Sequence, residues 1–200
     1  GQTPIGWMDD IGVLTDRSII GHGIFMDHHP WLHWTSRDDL GRMAESGATI
    51  AHCPTVFVRR GIALNTFGEY GRRGINLGIG TDTYPHNYLD EMRTALYTAR
   101  AVGGSVADLK TTDVFNAATV GGARALRRDD IGRLAVGARA DIVMSDLKHP
   151  AMMPVREPLR SLIYVAGDRA IREVFVDGDH VVRAGQVQTI DLAAASQALE

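Results

Sequence analysis

The stretch NLGIGTD (76–82) is a short apolar run that stops on an acid. Two upstream runs share its outline, SIIGHGIF (18–25) and ATIAHCP (48–54), each mostly apolar with a polar residue near its C-terminal end. His22, His52 and Asp82 follow one another at intervals of thirty residues. A strand, a helix and two connections occupy about thirty residues, the length of a βα repeat. Apolar runs that alternate with amphipathic helices predict parallel strands covered by helices. In such sheets the chemistry collects at the C-terminal ends of the strands, and each of the three residues falls at one such end. Alone, an aspartate after a buried strand also serves as a turn residue or N-cap. The shared register is what argues for a metal ligand or general base at Asp82.

The segments between these runs supply helices. TSRDDLGRMAES (35–46) has Thr35 or Ser36 as its N-cap and Leu40, Met43 and Ala44 at helical spacing. LNTFGEYGRRG (64–74) is a Gly-interrupted helix that ends at Gly74. YLDEMRTALYTARAVGG (88–104) is the strongest, with Leu89, Met92, Leu96 and Ala99 as its apolar stripe, acids at its start and Gly103-Gly104 as its stop. TTDVFNAATVGGARAL (111–126) follows, capped by Thr111 or Thr112.

Near residues 127 to 131 the character changes. ADIVMSD (140–146), SLIYVAG (161–167), IREVFVDG (171–178) and HVVRAGQ (180–186) read as strands, and Asp177-Gly178 marks a hairpin. Three βα units fall short of the eight that close a barrel. The predicted class is therefore α/β: a piece of a (βα) barrel over 1–127, a piece of a small β domain over 128–186, and a tail over 187–200 that forms a short helix at most.

Two hundred residues hold one good-sized domain, or one and a fraction. A net charge of −3 gives no electrostatic ground for nucleic acid or an anionic membrane surface as partner. No apolar run reaches the length of a membrane span. Cys53 is the one cysteine, so an internal disulfide is ruled out and a reducing cytoplasm is the simplest setting. The chain opens on Gly1 rather than Met, which suggests a processed, tagged or incomplete chain.

Among the polar candidates, His22 is flanked by glycines that let another group approach closely. His52 and Cys53 are neighbours on a strand and point to opposite faces, which argues against a Cys–His nucleophile. Cys53 reads as a small buried hydrophobe, and His52 as a candidate for substrate contact. DHHPWLHW (27–34) carries His28, His29 and His33, but without the sulfur or carboxylate partners of a compact tetrahedral metal set. It reads as a loop that packs its tryptophans and lines a pocket for an aromatic ligand. His86 and Asn87 are placed for substrate contact or, equally, for a helix-capping loop. No phosphate loop, dinucleotide fingerprint, zinc ribbon or H-x-H pair is present.

GHGIF, AHCPT, GIGTDT with the following Asn and EMR, and the GARADIVMSDL segment occur in this order, and together they resemble the amidohydrolase superfamily. The resemblance runs from Ser18 to Gln186 and is to the branch of triazine hydrolases and guanine, cytosine and adenosyl-homocysteine-type deaminases. It implies a (βα)8 TIM barrel with a β-sandwich built from both chain ends, and this chain as the C-terminal part. It also implies one divalent metal, zinc or iron, in the complete protein. Asp82, in the GTD motif of the eighth strand, would bind that metal and act as general base. His22, on the sixth strand, would lie beside it and hydrogen-bond the attacking hydroxide or the substrate. The first-strand H-x-H, the fifth-strand histidine and the acid that follows it have no counterpart in this chain. One ligand does not hold a catalytic metal that takes three.

The resulting expectation is the C-terminal part of a metal-dependent enzyme that hydrolytically deaminates a nitrogen heterocycle, or cleaves a related C–N or C–Cl bond. The isolated chain is expected to be inactive, and its partners to be a small heterocyclic substrate and the rest of the barrel or a partner chain. Homo-oligomerisation is compatible with this. Two alternatives stand beside it: a non-catalytic half-barrel that works by association, and an amide or dipeptide hydrolase of the same superfamily.

Overall fold

The computed structural model describes residues 1–63, 67–82, 84 and 86–199. They fall into two compact units, Gly1–Arg128 and Asp129–Glu200.

The first unit is built on three parallel strands, β1 (Ile19–Gly21), β2 (Thr49–His52) and β3 (Asn76–Ile79), in the spatial order β1-β2-β3. Ile20 pairs with Ile50 and Ile50 with Leu77, so the three apolar runs align in register. Central β2 is the most deeply buried strand, as a strand covered on both faces must be. The strands are shorter than the apolar runs because His22 and Asp82 take left-handed backbone, with φ of 64° and 52°. Extended pairing cannot pass through such residues. The ladder nevertheless continues for one more bond on each side of β2, from His22 N to Ala51 O (2.7 Å) and from Gly80 N to His52 O (2.9 Å).

Among the described residues, seven α-helical segments accompany this sheet: α1 (Pro4–Asp10), α2 (Asp39–Ser46), α3 (Pro54–Val58), α4 (Phe67–Arg72), α5 (Tyr88–Gly103), α6 (Thr111–Asn116) and α7 (Gly122–Ala125). Neither α1 nor α3 was expected from the sequence. Both begin at a proline, whose fixed φ suits the first helical position. The helix expected over 35–46 begins only at Asp39, and neither Thr35 nor Ser36 caps it. Its cap comes from a distance: the Asp27 carboxylate accepts from Asp38 N (2.6 Å) and Asp39 N (3.2 Å), and Asp39 Oδ2 accepts from Asp27 N (2.8 Å). Of the helix expected over 64–74, residues 64–66 lie outside the described residues and α4 covers the middle. α5 matches its expected span and stops on left-handed Gly104. α6 is capped at Lys110 rather than at Thr111 or Thr112, with Asp113 Oδ2 accepting from Lys110 N (2.9 Å).

Between α6 and α7 the chain makes a π-helical turn, Ala117–Gly121, that backs β3. A Cβ at Gly121 would lie 1.9 Å from Leu77 O, so only glycine lets the two backbones meet there. Asn76 Nδ2 secures the contact by donating to Gly121 O (3.0 Å) and Thr49 Oγ1 (2.9 Å). Met43, Ile50, Phe67, Tyr70, Met92 and Leu96 fill the buried core of this unit.

The second unit carries an antiparallel sheet in the order β4-β5-β6-β7: β4 (Ile142–Ser145), β5 (Ile171–Val176), β6 (Asp179–Arg183) and β7 (Gln186–Val187). Asp177 and Gly178 form the β5–β6 turn with φ of 51° and 90°, the primed hairpin geometry that their residue types favour. SLIYVAG (161–167) is not a strand. The chain is helical from α8 (Pro158–Ser161) through a π turn to a 3-10 turn that ends at Ala170. Ile163, Ala166 and Ala170 are buried with Met152, a helical spacing that a short apolar run does not distinguish from a strand. A short α9 (Leu192–Gln197) in the tail is capped by Asp191. Among the described residues no helix is long and apolar enough to cross a membrane.

Candidate active site

His22 and Asp82 leave the C-terminal ends of β1 and β3, on either side of β2, and their side chains converge. His22 Nε2 lies 3.5 Å from Asp82 Oδ2. Both sit in left-handed backbone, which costs a non-glycine residue about 1–2 kcal/mol and persists only where neighbours hold it. The neighbours are identifiable. Tyr70, fully buried, donates its hydroxyl to Gly23 O (2.6 Å), and Tyr88 donates to Ile79 O (2.8 Å) just before the GTD turn. His22 N itself donates to Ala51 O (2.7 Å) on β2. Gly23 is itself left-handed, and a Cβ there would lie 2.7 Å from Ile50 Cγ2, so no larger residue fits beside His22.

His52 closes β2 at 2 % exposure, with its ring 5.1 Å from that of Phe67. Burial pushes its pKa down to about 3, so the ring is neutral. Cys53 is buried as expected, and burial, then the Asp82 and Glu91 carboxylates, push its thiol up to about 11. A thiol held in that state is a poor nucleophile. His86 and Asn87 lie in the loop before α5. His86 Nδ1 pairs with Thr81 Oγ1 (2.9 Å), and Asn87 Oδ1 caps α5 by accepting from Asp90 N (3.2 Å). Thr83, the last residue of the GTDT motif, lies outside the described residues.

The 27–34 loop does not gather its histidines. His29 is buried and accepts Trp31 N–H at Nδ1 (3.2 Å), and His28 stands edge-on to Tyr70 at 6.2 Å. Burial lowers the pKa of both. Trp31 is not packed away as expected but stands 60 % exposed.

Sequence reasoning missed Glu91. It is 2 % exposed on α5, and its Oε2 accepts from Thr55 N (3.1 Å) at the start of α3. Burial raises its pKa. The signal was an acid set within the buried stripe, four residues before Ala95. Phe57 was also missed. Its ring meets His22 edge-on at 4.6 Å, which makes α3 a wall of the site.

The pair offers one carboxylate and one imidazole on a shared side, and the buried His22 Nδ1 has no hydrogen-bond partner among the described residues. Among the described residues no group of three His, Cys, Asp or Glu could hold a metal ion. Catalytic zinc takes three protein ligands, so these residues fit part of a zinc site and not a whole one.

A 5-methylthioadenosine/S-adenosylhomocysteine deaminase of Pyrococcus abyssi is 31 % identical over 195 residues, which cover 96 % of this chain and 44 % of the relative. An adenosine deaminase from Xanthomonas campestris, solved with bound zinc, superposes with a TM-score of 0.87 at 30 % identity, over 98 % of this chain and 44 % of that one. A mutant atrazine chlorohydrolase from Arthrobacter aurescens TC1, complexed with zinc and atraton, gives a TM-score of 0.84 at 26 % identity, over 97 % and 43 %. The chain thus spans a little under half the length of these relatives. Residues 2–181 match the amidohydrolase family along nearly the whole chain. With strand-end histidine and aspartate in place on parallel strands, the chain belongs to the amidohydrolase family.

Proposed function

We propose that this chain is the C-terminal part of a metal-dependent amidohydrolase that deaminates a nitrogen heterocycle by hydrolysis, or cleaves a related C–N or C–Cl bond. The 3.5 Å approach of His22 Nε2 to Asp82 Oδ2 at the C-terminal strand ends carries the reading. Residues 1–127 would form part of the barrel, 128–186 part of a β-sandwich, and 187–200 a tail. The outer edges of β1 and β3 would pair with the rest of the barrel or a partner chain.

In the complete protein Asp82 would hold the metal together with ligands from outside these 200 residues. A bound zinc supplies a water acidified towards neutrality. Asp82 accepts the proton of the attacking water and passes it towards the leaving nitrogen, which departs as ammonia. His22 Nε2 orients the water or the ring nitrogen beside it. His86 and Asn87 contact the substrate from the loop before α5, and His52, buried at the end of β2, backs the site.

The test starts with intact mass: about twice the chain's 21.7 kDa is expected for the protein as made. Zinc content and ammonia release are then measured on aminopurines, aminopyrimidines, triazines and acyl-amino acids. Cleavage of acyl-amino acids alone would move the reading to amide hydrolysis. A protein of 21.7 kDa that holds no metal and turns nothing over would leave a non-catalytic half-barrel. Turnover by the 200-residue chain alone would overturn the claim that the site needs further ligands.

A further inference from the structure

Three aromatic side chains continue outward from the His22 imidazole. Phe57 meets it edge-on at 4.6 Å, Phe25 meets Phe57 at 5.8 Å, and Trp31 lies 6.4 Å from Phe25 with the planes tilted by 33°. Phe57 is half-buried, and the outer two rings face solvent, Phe25 at 40 % and Trp31 at 60 % exposure. Apolar rings left in water beside a few convergent polar groups are what a small-molecule site is made of.

The row is also held in place. Asp27 and Asp39 each donate a backbone N–H to the other's carboxylate, and Arg37 Nη1 donates to Trp34 O (2.7 Å) and Asp27 O (3.1 Å). Buried His29 accepts Trp31 N–H and stands edge-on to Phe25 at 5.0 Å. Glu91 fixes the start of α3, and with it Phe57. A wall ordered before binding loses little freedom when a ligand arrives.

We infer that Phe57, Phe25 and Trp31 form the specificity wall of the His22–Asp82 site. The planar heterocycle rests against Phe57 and Phe25, and its apolar substituent extends to Trp31. The heterocycle as substrate class rests on the proposed deaminase function; the wall itself rests on the ring geometry.

Tryptophan fluorescence tests the wall apart from turnover. Protein from the complete reading frame is titrated with adenosine and with 5′-methylthioadenosine, alongside the Trp31→Phe, Phe25→Leu and Phe57→Leu variants. Saturable quenching that Trp31→Phe removes is expected. Each leucine variant should raise the dissociation constant roughly tenfold, the scale of one lost base–aromatic stack. Trp31 and Phe25 are exposed enough for their variants to keep the parent melting temperature, so they decide the matter if Phe57→Leu does not fold. Absent quenching, or quenching with unchanged affinity in the variants, overturns the wall. Ammonia release assayed in parallel separates the two claims. Trp31-dependent binding without ammonia keeps the wall and rejects deamination, whereas deamination with unchanged KM in Phe25→Leu and Trp31→Phe does the reverse.

Discussion

His22 and Asp177 share a backbone conformation, with φ of 64° and 51°, and little else. Asp177 opens a two-residue hairpin between β5 and β6, where the turn itself demands positive φ. Its N–H reaches Asp141 Oδ1 (2.8 Å), and its carboxylate pairs with Arg139. Its positive φ follows from the two-residue turn itself, and the partners from further along the chain, Asp141 and Arg139, only add to it. No hairpin explains His22, because β1 pairs in parallel and the chain runs on into a loop. Its conformation depends on Ala51 and Tyr70, which come from β2 and α4. Strain that turn chemistry explains says nothing about function, whereas strain maintained by distant residues marks a place where a side chain must be aimed.

The largest effect should come from the aimed groups themselves. Asp82→Asn keeps the shape but removes the charge and the basic oxygen. In the complete protein kcat should fall by on the order of 10³ or more, with loss of bound zinc. Steady-state rates and metal analysis check this, and an Asp82→Asn protein that keeps both zinc and rate would reduce Asp82 to a turn residue like Asp177.

A smaller effect tests the supports. Tyr70→Phe deletes only the hydroxyl and leaves Gly23 O buried without its donor, a loss of about 1–3 kcal/mol. Denaturant unfolding should show it, accompanied by a lower kcat as His22 loses its fixed direction. Unchanged stability would mean that the His22–Gly23 turn stands without α4.

How far the sequence foretold these regions follows from the same contrast. The thirty-residue register placed His22, His52 and Asp82 at the C-terminal ends of three parallel strands because a βα repeat has a nearly fixed length. The Asp177-Gly178 turn was legible because its cause lies within two residues. Helix α5 was legible from its stripe and its glycine stop. What stayed hidden was carried by long-range partners: Asp27 capping α2 from eleven residues away, Tyr70 reaching back forty-seven residues to Gly23, and Glu91 gripping Thr55. No local pattern encodes such pairs. The 161–167 segment failed for another reason, since its apolar run fits either periodicity and only the burial of Ile163, Ala166 and Ala170 decides. Alternation showed that His52 and Cys53 face apart but not how deeply His52 lies.

A paired substitution sharpens the contrast further. His22→Gly relieves the left-handed penalty and should raise stability by about 1 kcal/mol while abolishing activity, a trade of stability for function. Asp177→Gly should leave activity intact and change stability by only a few tenths of a kcal/mol, because aspartate already tolerates that turn. Melting temperatures of the two variants, read side by side, check the sign. A destabilised His22→Gly would show that contacts of the imidazole outweigh its strained backbone.

The smallest effect is a pH dependence at the other turn of the antiparallel sheet. Ala184 is left-handed too, at φ 51°, and its N–H donates to Glu173 Oε1 (3.1 Å), whose Oε2 meets His180 Nε2 at 2.6 Å. The Ala184 N–H first, and His180 second, hold the Glu173 carboxyl below the usual carboxylate range. In the unfolded chain, without these partners, the carboxyl binds a proton more readily than in the folded one. Its stabilisation is therefore complete above the ordinary carboxylate pKa and is lost as the pH falls through the depressed folded value. Melting temperature measured between about pH 6 and pH 3 should fall more steeply in the parent than in Glu173→Gln, with the two curves converging at the acid end. Parallel curves would show that the Ala184 turn, like the Asp177 turn, is held by its own backbone chemistry. His22 and Asp82, at the ends of parallel strands, would then stand apart from both hairpin turns.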